Sequence, residues 1–160
     1  MKRIILFCMF FAVIVFLAPA ATVFVYIERG DIALSMVCEE DVFVWVNRLE
    51  DGVMDILFDS GHIVFSNNSG RNQISDFRAL NRLARSGGAE ILVSVTFNLK
   101  TADNTMIISG EYKVYNLNTS DIIYSNNYVF SNALQRTSQG IAERLFLAGQ
   151  SVGKRIESIL

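Results

Sequence analysis

Proline, cysteine and histidine are scarce in this sequence, whose 160 residues include 1 Pro, 2 Cys and 1 His. So few cysteines and histidines exclude zinc fingers, disulfide-rich scaffolds and His-rich metal sites. An excess of charge of one sign is also missing, because 14 Lys and Arg stand against 16 Asp and Glu. Nucleic-acid-binding proteins usually show a basic excess. The composition therefore predicts no metal, no other cofactor and no nucleic-acid partner.

Apolar residues, by contrast, are plentiful: 51% of the chain is hydrophobic and 12 residues are Phe. A chain of this composition can bury enough apolar surface to fold, so a disordered tail is excluded. Its length is that of one domain together with a short N-terminal segment.

The N-terminus has the layout of a secretory signal peptide. Lys2 and Arg3 precede an uncharged apolar run at residues 4–17, and an A-x-A site ends at Ala20. A run of about 14 residues is typical of a signal-peptide core and is shorter than the roughly 20 residues of a membrane span. We therefore predict cleavage after Ala20, a signal peptide at residues 1–20 and an exported mature domain at residues 21–160, located in the periplasm or envelope.

A membrane anchor is the alternative to cleavage. Residues 21–27 are also apolar, so an uncleaved segment of residues 4–27 would be long enough to span a bilayer. Cys8 lies inside the apolar run and makes a poor lipobox, which leaves Cys38 as the one cysteine of the mature chain. We expect Cys38 to be a small buried hydrophobic residue, with pairing between chains as the alternative.

The spacing of apolar residues predicts eight elements in the order β-α-β-α-β-β-β-α. The last three strands are joined by short polar loops and are predicted to form an antiparallel meander. The predicted fold is an α+β two-layer sandwich with a mixed sheet. The elements are a strand at 21–27, a turn at 28–31, a helix at 32–58, a strand at 62–66, a helix at 77–85, strands at 90–100, 106–117 and 122–130, and a helix at 137–160.

Helical periodicity also predicts which residues of the first and last helices are buried. Small residues at Gly149 and Gly153 are expected to allow close packing of the last helix against the sheet, and Gly61 is placed to end the first helix. The predicted apolar face of the first helix consists of Phe43, Val46, Leu49, Val53, Ile56 and Leu57.

Two local patterns accompany this order of elements. Gly88-Ala89-Glu90 opens a strand, and Asn116-Leu117-Asn118-Thr119-Ser120 looks like a variant of an Asp-x-x-Thr-Gly turn within a meander. Together they resemble the periplasmic domain shared by CsgG, the LpoB-type activators of penicillin-binding proteins, the FlgO-type flagellar proteins and the amino-terminal domain of TolB. In this chain Asn116 stands where Asp is usual and Ser120 where Gly is usual.

The resemblance implies a mostly non-catalytic domain that docks on other envelope proteins. Many members of the group are lipoproteins, and this chain departs from them because it lacks a convincing lipobox. The length offers no additional membrane-spanning hairpins of the kind that a CsgG pore needs, so a secretion channel is disfavoured.

Residues that could support catalysis are few. His62 is the one histidine, and it could act as a general base, alone or with Cys38, or simply occupy a strand edge. Asp51, Asp55 and Asp59 recur every fourth residue and form either a cation site or an exposed acidic stripe. No nucleophile–base motif accompanies these residues, and we predict that the chain is not an enzyme.

Candidate partner-binding residues lie on the first two of the three predicted helices. Arg78, Arg82 and Arg85 share one face of the second helix, where they could meet an acidic partner or a glycan, or form an ordinary solvated surface. Trp45, with Phe43, would be an interface anchor if exposed and a core residue otherwise.

The sequence as a whole favours an exported, non-catalytic bacterial envelope protein that acts as a protein-interaction or accessory module. Activation of a cell-wall synthase and a secretion or flagellar accessory role are the expected forms of this function, and assembly of the chain with itself stays open. The alternatives are a membrane-anchored domain and a small hydrolase that uses His62 or the Asp51, Asp55 and Asp59 row.

Overall fold

Five strands and three helices form the part of the chain that the structure describes. The structure is a computed structural model, and it describes residues 20–33, 38–67, 74, 76–102, 104–133 and 137–160. The predicted signal peptide falls on residues outside these ranges, except for Ala20. The elements are β1 (Thr22–Ala33), α1 (Glu39–Asp59), β2 (Ile63–Ser66), α2 (Phe77–Ser86), β3 (Ile91–Ala102), β4 (Thr105–Asn116), β5 (Asp121–Ala133) and α3 (Ser138–Glu157).

The five strands form one mixed sheet in the order β2-β1-β3-β4-β5. β1 lies in the middle of the parallel part and pairs with β2 on one side and β3 on the other. β3, β4 and β5 are antiparallel. The predicted α+β class, the order of elements and the three-strand meander are confirmed.

β1 is longer than the sequence predicted. The expected turn at residues 28–31 is wrong, because the strand continues to Ala33 through a register shift between Arg29 and Ile32. Asn98 of β3 stabilises this bulge by accepting a hydrogen bond from the Asp31 N–H at 2.8 Å. Ile32 therefore belongs to β1, and the predicted helix start at residue 32 is also wrong. The alternative membrane span of residues 4–27 is wrong in its last six residues, which lie in the sheet.

The main core lies between one face of the sheet and the pair of helices α1 and α3. β1 is buried on both faces, as predicted: Val23, Val25 and Ile27 face this core, while Phe24 and Tyr26 face the opposite side. On the opposite side, Leu80 and Ala84 of α2 pack against Phe24, Tyr26 and Leu92. No helix in the described part of the chain is long and apolar enough to cross a membrane.

The buried face of α1 is confirmed at Val46, Leu49, Val53 and Leu57, and the prediction is wrong at Phe43. Phe43 is 36% exposed, whereas Val42 and Trp45 are buried. The run from Val42 to Val46 is apolar on every side of the helix, so periodicity alone does not indicate which residues point inward. The buried residues of α1 are Val42, Trp45, Val46, Leu49, Glu50, Gly52, Val53 and Leu57.

The glycines of α3 pack against α1 and not against the sheet, which corrects the prediction. A Cβ atom on Gly149 would lie 2.2 Å from the Leu49 carbonyl oxygen, and one on Gly52 would lie 2.1 Å from the Phe146 carbonyl oxygen. Gly153 likewise lies against Val53 and Ile56 of α1. The two helix backbones therefore approach more closely than side chains would allow.

The ends of α1 and α2 follow the local sequence signals. Gly61 follows α1 with a φ of 89°, and the next amide, of His62, donates to the Leu57 carbonyl at 3.1 Å. At the start of α2, the Asp76 side chain accepts a hydrogen bond from the Arg78 N–H at 2.9 Å. These contacts satisfy backbone groups that a helix leaves without partners at its ends. The predicted end of α1 and the predicted bounds of α2 are thus confirmed to within one residue.

Candidate functional site

α2 covers only part of the sheet face that points away from α1 and α3. Beyond α2 this face is polar. Glu28, Thr96, Glu111 and Asn127 form one row across β1, β3, β4 and β5, because they are paired in register. We call this uncovered area the open sheet face; it carries side chains that are not used in the core.

One pair of opposite charges on the open sheet face is joined by a short contact. Lys113 Nζ lies 2.8 Å from Glu111 Oε2, and Ser125 Oγ donates to Glu111 Oε1 at 2.8 Å. These donors lower the pKa of the Glu111 carboxyl, while the Glu111 carboxylate raises the pKa of Lys113. Both groups are therefore ionised at neutral pH. Because both side chains are partly exposed, the ion pair orders the surface more than it stabilises the fold.

A groove runs between α2 and the open sheet face, and its walls are partly aromatic. Phe77 of α2 contacts Tyr115 of β4, with ring centroids 4.7 Å apart. The Tyr26 hydroxyl accepts a hydrogen bond from the Ile74 N–H at 2.7 Å and donates to the Ile74 carbonyl at 3.3 Å. Burial raises the pKa of both tyrosines, so their hydroxyls stay neutral. The groove encloses about 120 Å³ and joins aromatic surface to the Glu111–Lys113 pair.

The three arginines belong to α2, the helix that supplies one wall of this groove, but they do not have the same role. Arg85 Nη2 donates to the Leu117 carbonyl and to Ser120 Oγ, so this arginine holds the turn between β4 and β5. Arg78 and Arg82 are exposed, and their guanidinium groups make no hydrogen bond or ion pair with any residue that the structure describes. Two arginines of the predicted stripe are therefore available to a partner, while the third is bound within the fold.

The turn held by Arg85 contains both residues at which this chain departs from the Asp-x-x-Thr-Gly pattern. Asn116 Oδ1 accepts hydrogen bonds from the Asn118 N–H at 2.8 Å and the Thr119 N–H at 3.3 Å, as an Asp carboxylate would. Ser120 has a φ of 65°, a left-handed conformation that favours Gly. Asn116 is therefore bonded as an Asp could be, and Ser120 has a φ that Gly adopts without strain.

Trp45 does not belong to this surface. Its ring is 2% exposed, and Nε1 donates to the carbonyl oxygen and to Oγ of Ser138, each at 3.2 Å. The condition for an interface anchor, an exposed ring, is not met. The physical reason is the helix phase described above, which turns Trp45 toward α3 and Phe43 toward solvent. Trp45 is therefore a core residue and no longer a candidate for partner binding.

Cys38 and His62 lie at opposite ends of the same helix. α1 has 21 residues, which corresponds to about 30 Å, so the two side chains do not form a catalytic pair. The Ala21 N–H donates to His62 Nδ1 at 3.2 Å, which gives the histidine a place at the sheet edge. Cys38 is exposed, with Sγ donating to Asp41 Oδ2 at 3.1 Å. The expectation of a buried Cys38 is wrong, because the residue precedes α1 at its exposed start.

The aspartate row of α1 is an exposed stripe. Asp51 lies 3.6 Å from Arg48, and Asp55 accepts a hydrogen bond from Gln150 at 2.8 Å. Asp59, the last residue of α1, is exposed. Within the described ranges, no group of three or more His, Cys, Asp or Glu residues could hold a metal ion. The row therefore does not assemble a cation site there.

Comparison with known proteins identifies the fold and leaves the family open. No protein-family model matches the sequence, and no curated protein matches it either. Solved structures do match. A PelC dodecamer from Paraburkholderia phytofirmans has a TM-score of 0.55 at 14% identity, over 84% of this chain and 88% of that chain. Protein CT253 from Chlamydia trachomatis has a TM-score of 0.58 at 13% identity, over 88% and 97%.

A third match is the lipoprotein GNA1162 from Neisseria meningitidis, with a TM-score of 0.50 at 12% identity, over 88% of this chain and 99% of that chain. The matches also include the C-terminal domain of LpoB from Escherichia coli and TolB from Acinetobacter baumannii, at TM-scores of 0.46 and 0.45. LpoB and TolB are names from the group that the sequence resembles. The fold comparison itself rests on the PelC, CT253 and GNA1162 structures.

Proposed function

We propose that this chain is an exported, non-catalytic bacterial envelope protein that acts as an accessory module by binding another envelope protein. Its fold is shared with a neisserial lipoprotein and with PelC, which supports an envelope role. The residues that the sequence offered for catalysis are separated or exposed, and the signal-like N-terminus favours export.

One observation carries the choice of surface: Arg78 and Arg82 are exposed on α2, the helix whose Phe77 lines the aromatic-walled groove. Neither arginine side chain has a partner among the residues that the structure describes. Arginine and aromatic side chains are enriched at protein interfaces, where the aromatic ring supplies area and the guanidinium supplies directed hydrogen bonds. The partner that fits is a protein segment with carboxylates that reach Arg78 and Arg82 and an apolar side chain that enters the groove. Activation of a cell-wall synthase and a secretion or flagellar accessory role are the forms of this function that we propose.

The test is capture of the partner in the living cell. A photo-crosslinking residue in place of Asn81 on α2, which leaves Arg78 and Arg82 present, should trap one envelope protein when it is placed in the tagged full-length chain. Mass spectrometry identifies the trapped protein. The double charge reversal Arg78→Glu with Arg82→Glu should abolish the capture, because carboxylates would then face carboxylates. The matched control is the double reversal Arg48→Glu with Lys154→Glu, which changes as much charge on the opposite side of the molecule.

Loss of the trapped partner in the Arg78 and Arg82 variant alone supports the proposed surface. Equal capture by both double variants contradicts it, as does the absence of any trapped envelope protein. Circular dichroism of each variant confirms that the fold is kept.

Export is tested by the intact mass of the protein recovered from the envelope fraction. A mass that corresponds to residues 21–160 supports cleavage after Ala20. A mass that retains residues 1–20 supports the membrane-anchored alternative, in which the anchor would have to end before β1.

A further inference from the structure

We infer that β5 is a self-association edge, through which two copies of this chain pair antiparallel about a two-fold axis at Asn126. β5 is the last strand of the sheet order, and no strand in the described part of the chain pairs with its outer side. Its 13 residues make it far longer than the opposite edge strand, β2, which has 4. A long free edge presents backbone N–H and C=O groups that can pair with another strand.

β5 lacks most of the features that prevent such pairing. Natural edge strands are usually interrupted by Lys, Pro or bulges. β5 contains no Lys, Arg, Pro or Gly, and its one charged residue is Asp121 at its start. A bulge occurs near that end, where Ile123 has no partner in β4. The remainder of the strand, from Tyr124 to Ala133, is regular and uncharged.

The occupant is a second copy of β5, because the strand is nearly symmetric about Asn126. Residues at equal distances on either side are alike. Ser125 matches Asn127, Tyr124 matches Tyr128, and Ile123 matches Val129. In an antiparallel pair centred on Asn126, each residue therefore lies opposite its counterpart from the second copy. A two-fold axis requires this self-complementarity, which an unrelated peptide would match only by chance.

This register also covers apolar surface that the monomer exposes. Val129 is 63% exposed and Ile123 is 44% exposed, although neither side chain is polar. Each would lie against the other across the new strand pair, twice per dimer. Regular pairing of residues 124–128 in both copies would add about five backbone hydrogen bonds at this contact.

The test uses two exposed positions and their combination, in protein expressed from the full-length sequence and purified as the cell processes it. Wild-type protein should sediment as a dimer. Val129→Lys alone and Ile123→Glu alone should each raise the dimer dissociation constant about tenfold or more, because each change acts twice in the dimer. The double variant should recover the dimer, because Lys and Glu would lie opposite each other at both positions.

Both side chains are exposed, so the fold should be kept, and thermal melts check this directly. A wild-type monomer, single variants that dimerise as the wild type does, or a double variant that stays monomeric would each overturn the inference. An independent readout is Asn126→Cys in a chain whose Cys8 and Cys38 are changed to Ser. A disulfide should form between position 126 of the two copies, whereas Asn132→Cys should not cross-link. The surface of Arg78 and Arg82 is left unchanged, so failure here is distinct from failure of the proposed function.

Discussion

Gly149 of α3 lies against the backbone of Leu49 in α1, so closely that a Cβ at position 149 would be 2.2 Å from the Leu49 carbonyl oxygen. The neighbour is backbone, which cannot rotate away as a side chain can. The contact sets the spacing of the helical layer and thereby the packing over the main core.

Gly149→Ala should destabilise the protein although alanine favours helix. The propensity gain is about 1 kcal/mol, while overpacking against a fixed neighbour costs about 1–3 kcal/mol or more. Because the neighbour is a backbone oxygen at 2.2 Å, we take the upper end of that cost and expect a net loss of about 2 kcal/mol, seen as a fall of roughly 4–8 °C in Tm. Lys154→Ala, on the exposed side of α3, is the control and should leave Tm nearly unchanged. A Gly149→Ala variant as stable as the control would show that the helices can separate without cost.

Trp45 and Phe43 lie two residues apart on α1, but alanine substitutions at the two positions should destabilise the protein to different extents. Trp45→Ala should cost about 3–5 kcal/mol, because it removes a buried ring. Phe43→Ala should cost less than about 1 kcal/mol, because its ring is already partly in water. Urea denaturation followed by far-ultraviolet circular dichroism measures both. A larger effect at Phe43 than at Trp45 would contradict the observed phase of α1.

Asp41 should make the stability of the protein depend on pH. Ser138 Oγ donates to its carboxylate at 2.5 Å, and this bond, with that from Cys38, lowers the pKa of the group below its ordinary value of 3.8. A lowered folded-state pKa stabilises the fold above the unfolded value, and the effect is lost as the pH falls through the folded value. The Tm difference between wild type and Asp41→Asn should therefore be full at neutral pH and shrink below about pH 4.

The control for Asp41 is Glu39→Gln, which removes a charge from the same end of α1 and leaves the Ser138 contact in place. Its Tm difference from the wild type should change less with pH. The Tm difference between wild type and Asp41→Asn could instead be the same at pH 7 and in acid. In that case the Ser138 hydrogen bond does not favour the ionised carboxylate over the protonated one.

Ser120→Gly should stabilise the protein by about 0.5–1 kcal/mol, because a left-handed residue other than Gly is strained. Ser120 has a φ of 65° in the turn held by Arg85. Asn104→Gly, at a φ of 62°, should gain less, since Asn tolerates this conformation. Asn118→Gly, in the same turn but without a positive φ, should instead destabilise. Thermal melts of the three variants give the order of their stabilities. If Asn118→Gly is stabilising and Ser120→Gly is neutral, the prediction that Gly relieves strain at Ser120 is contradicted.

Much of the fold could be predicted from local patterns. The alternation of β3 and β4, the helical period of α3 and the Gly signals after α1 and α2 act over a few residues, so they are visible in the chain itself. The resemblance to the LpoB and TolB group also depended on short local patterns. One of them is the turn at Asn116, whose side chain accepts hydrogen bonds from two backbone N–H groups of the same turn. The arginine stripe was also visible as a spacing of three and four residues.

Other features depended on neighbours that are distant in sequence. Residues 28–33 continue β1 only because β3 lies beside them and Asn98 fills the bulge. Trp45 turns inward because Ser138 is there to accept its N–H. Arg85 is fixed by the Leu117 carbonyl, 32 residues away, while Arg78 and Arg82 stay exposed.

The amino-acid sequence by itself determined the order of the elements, their approximate bounds and the α+β class, because hydrogen bonding and side-chain periodicity within an element are local. Only the tertiary structure decided that Trp45 of α1 is buried and that the glycines of α3 contact α1. It also decided which arginine side chains are bound within the fold, and that β5 is an edge strand in the described part of the chain. Those outcomes depend on which helices and strands pack against each other, and this packing involves residues that are distant in sequence.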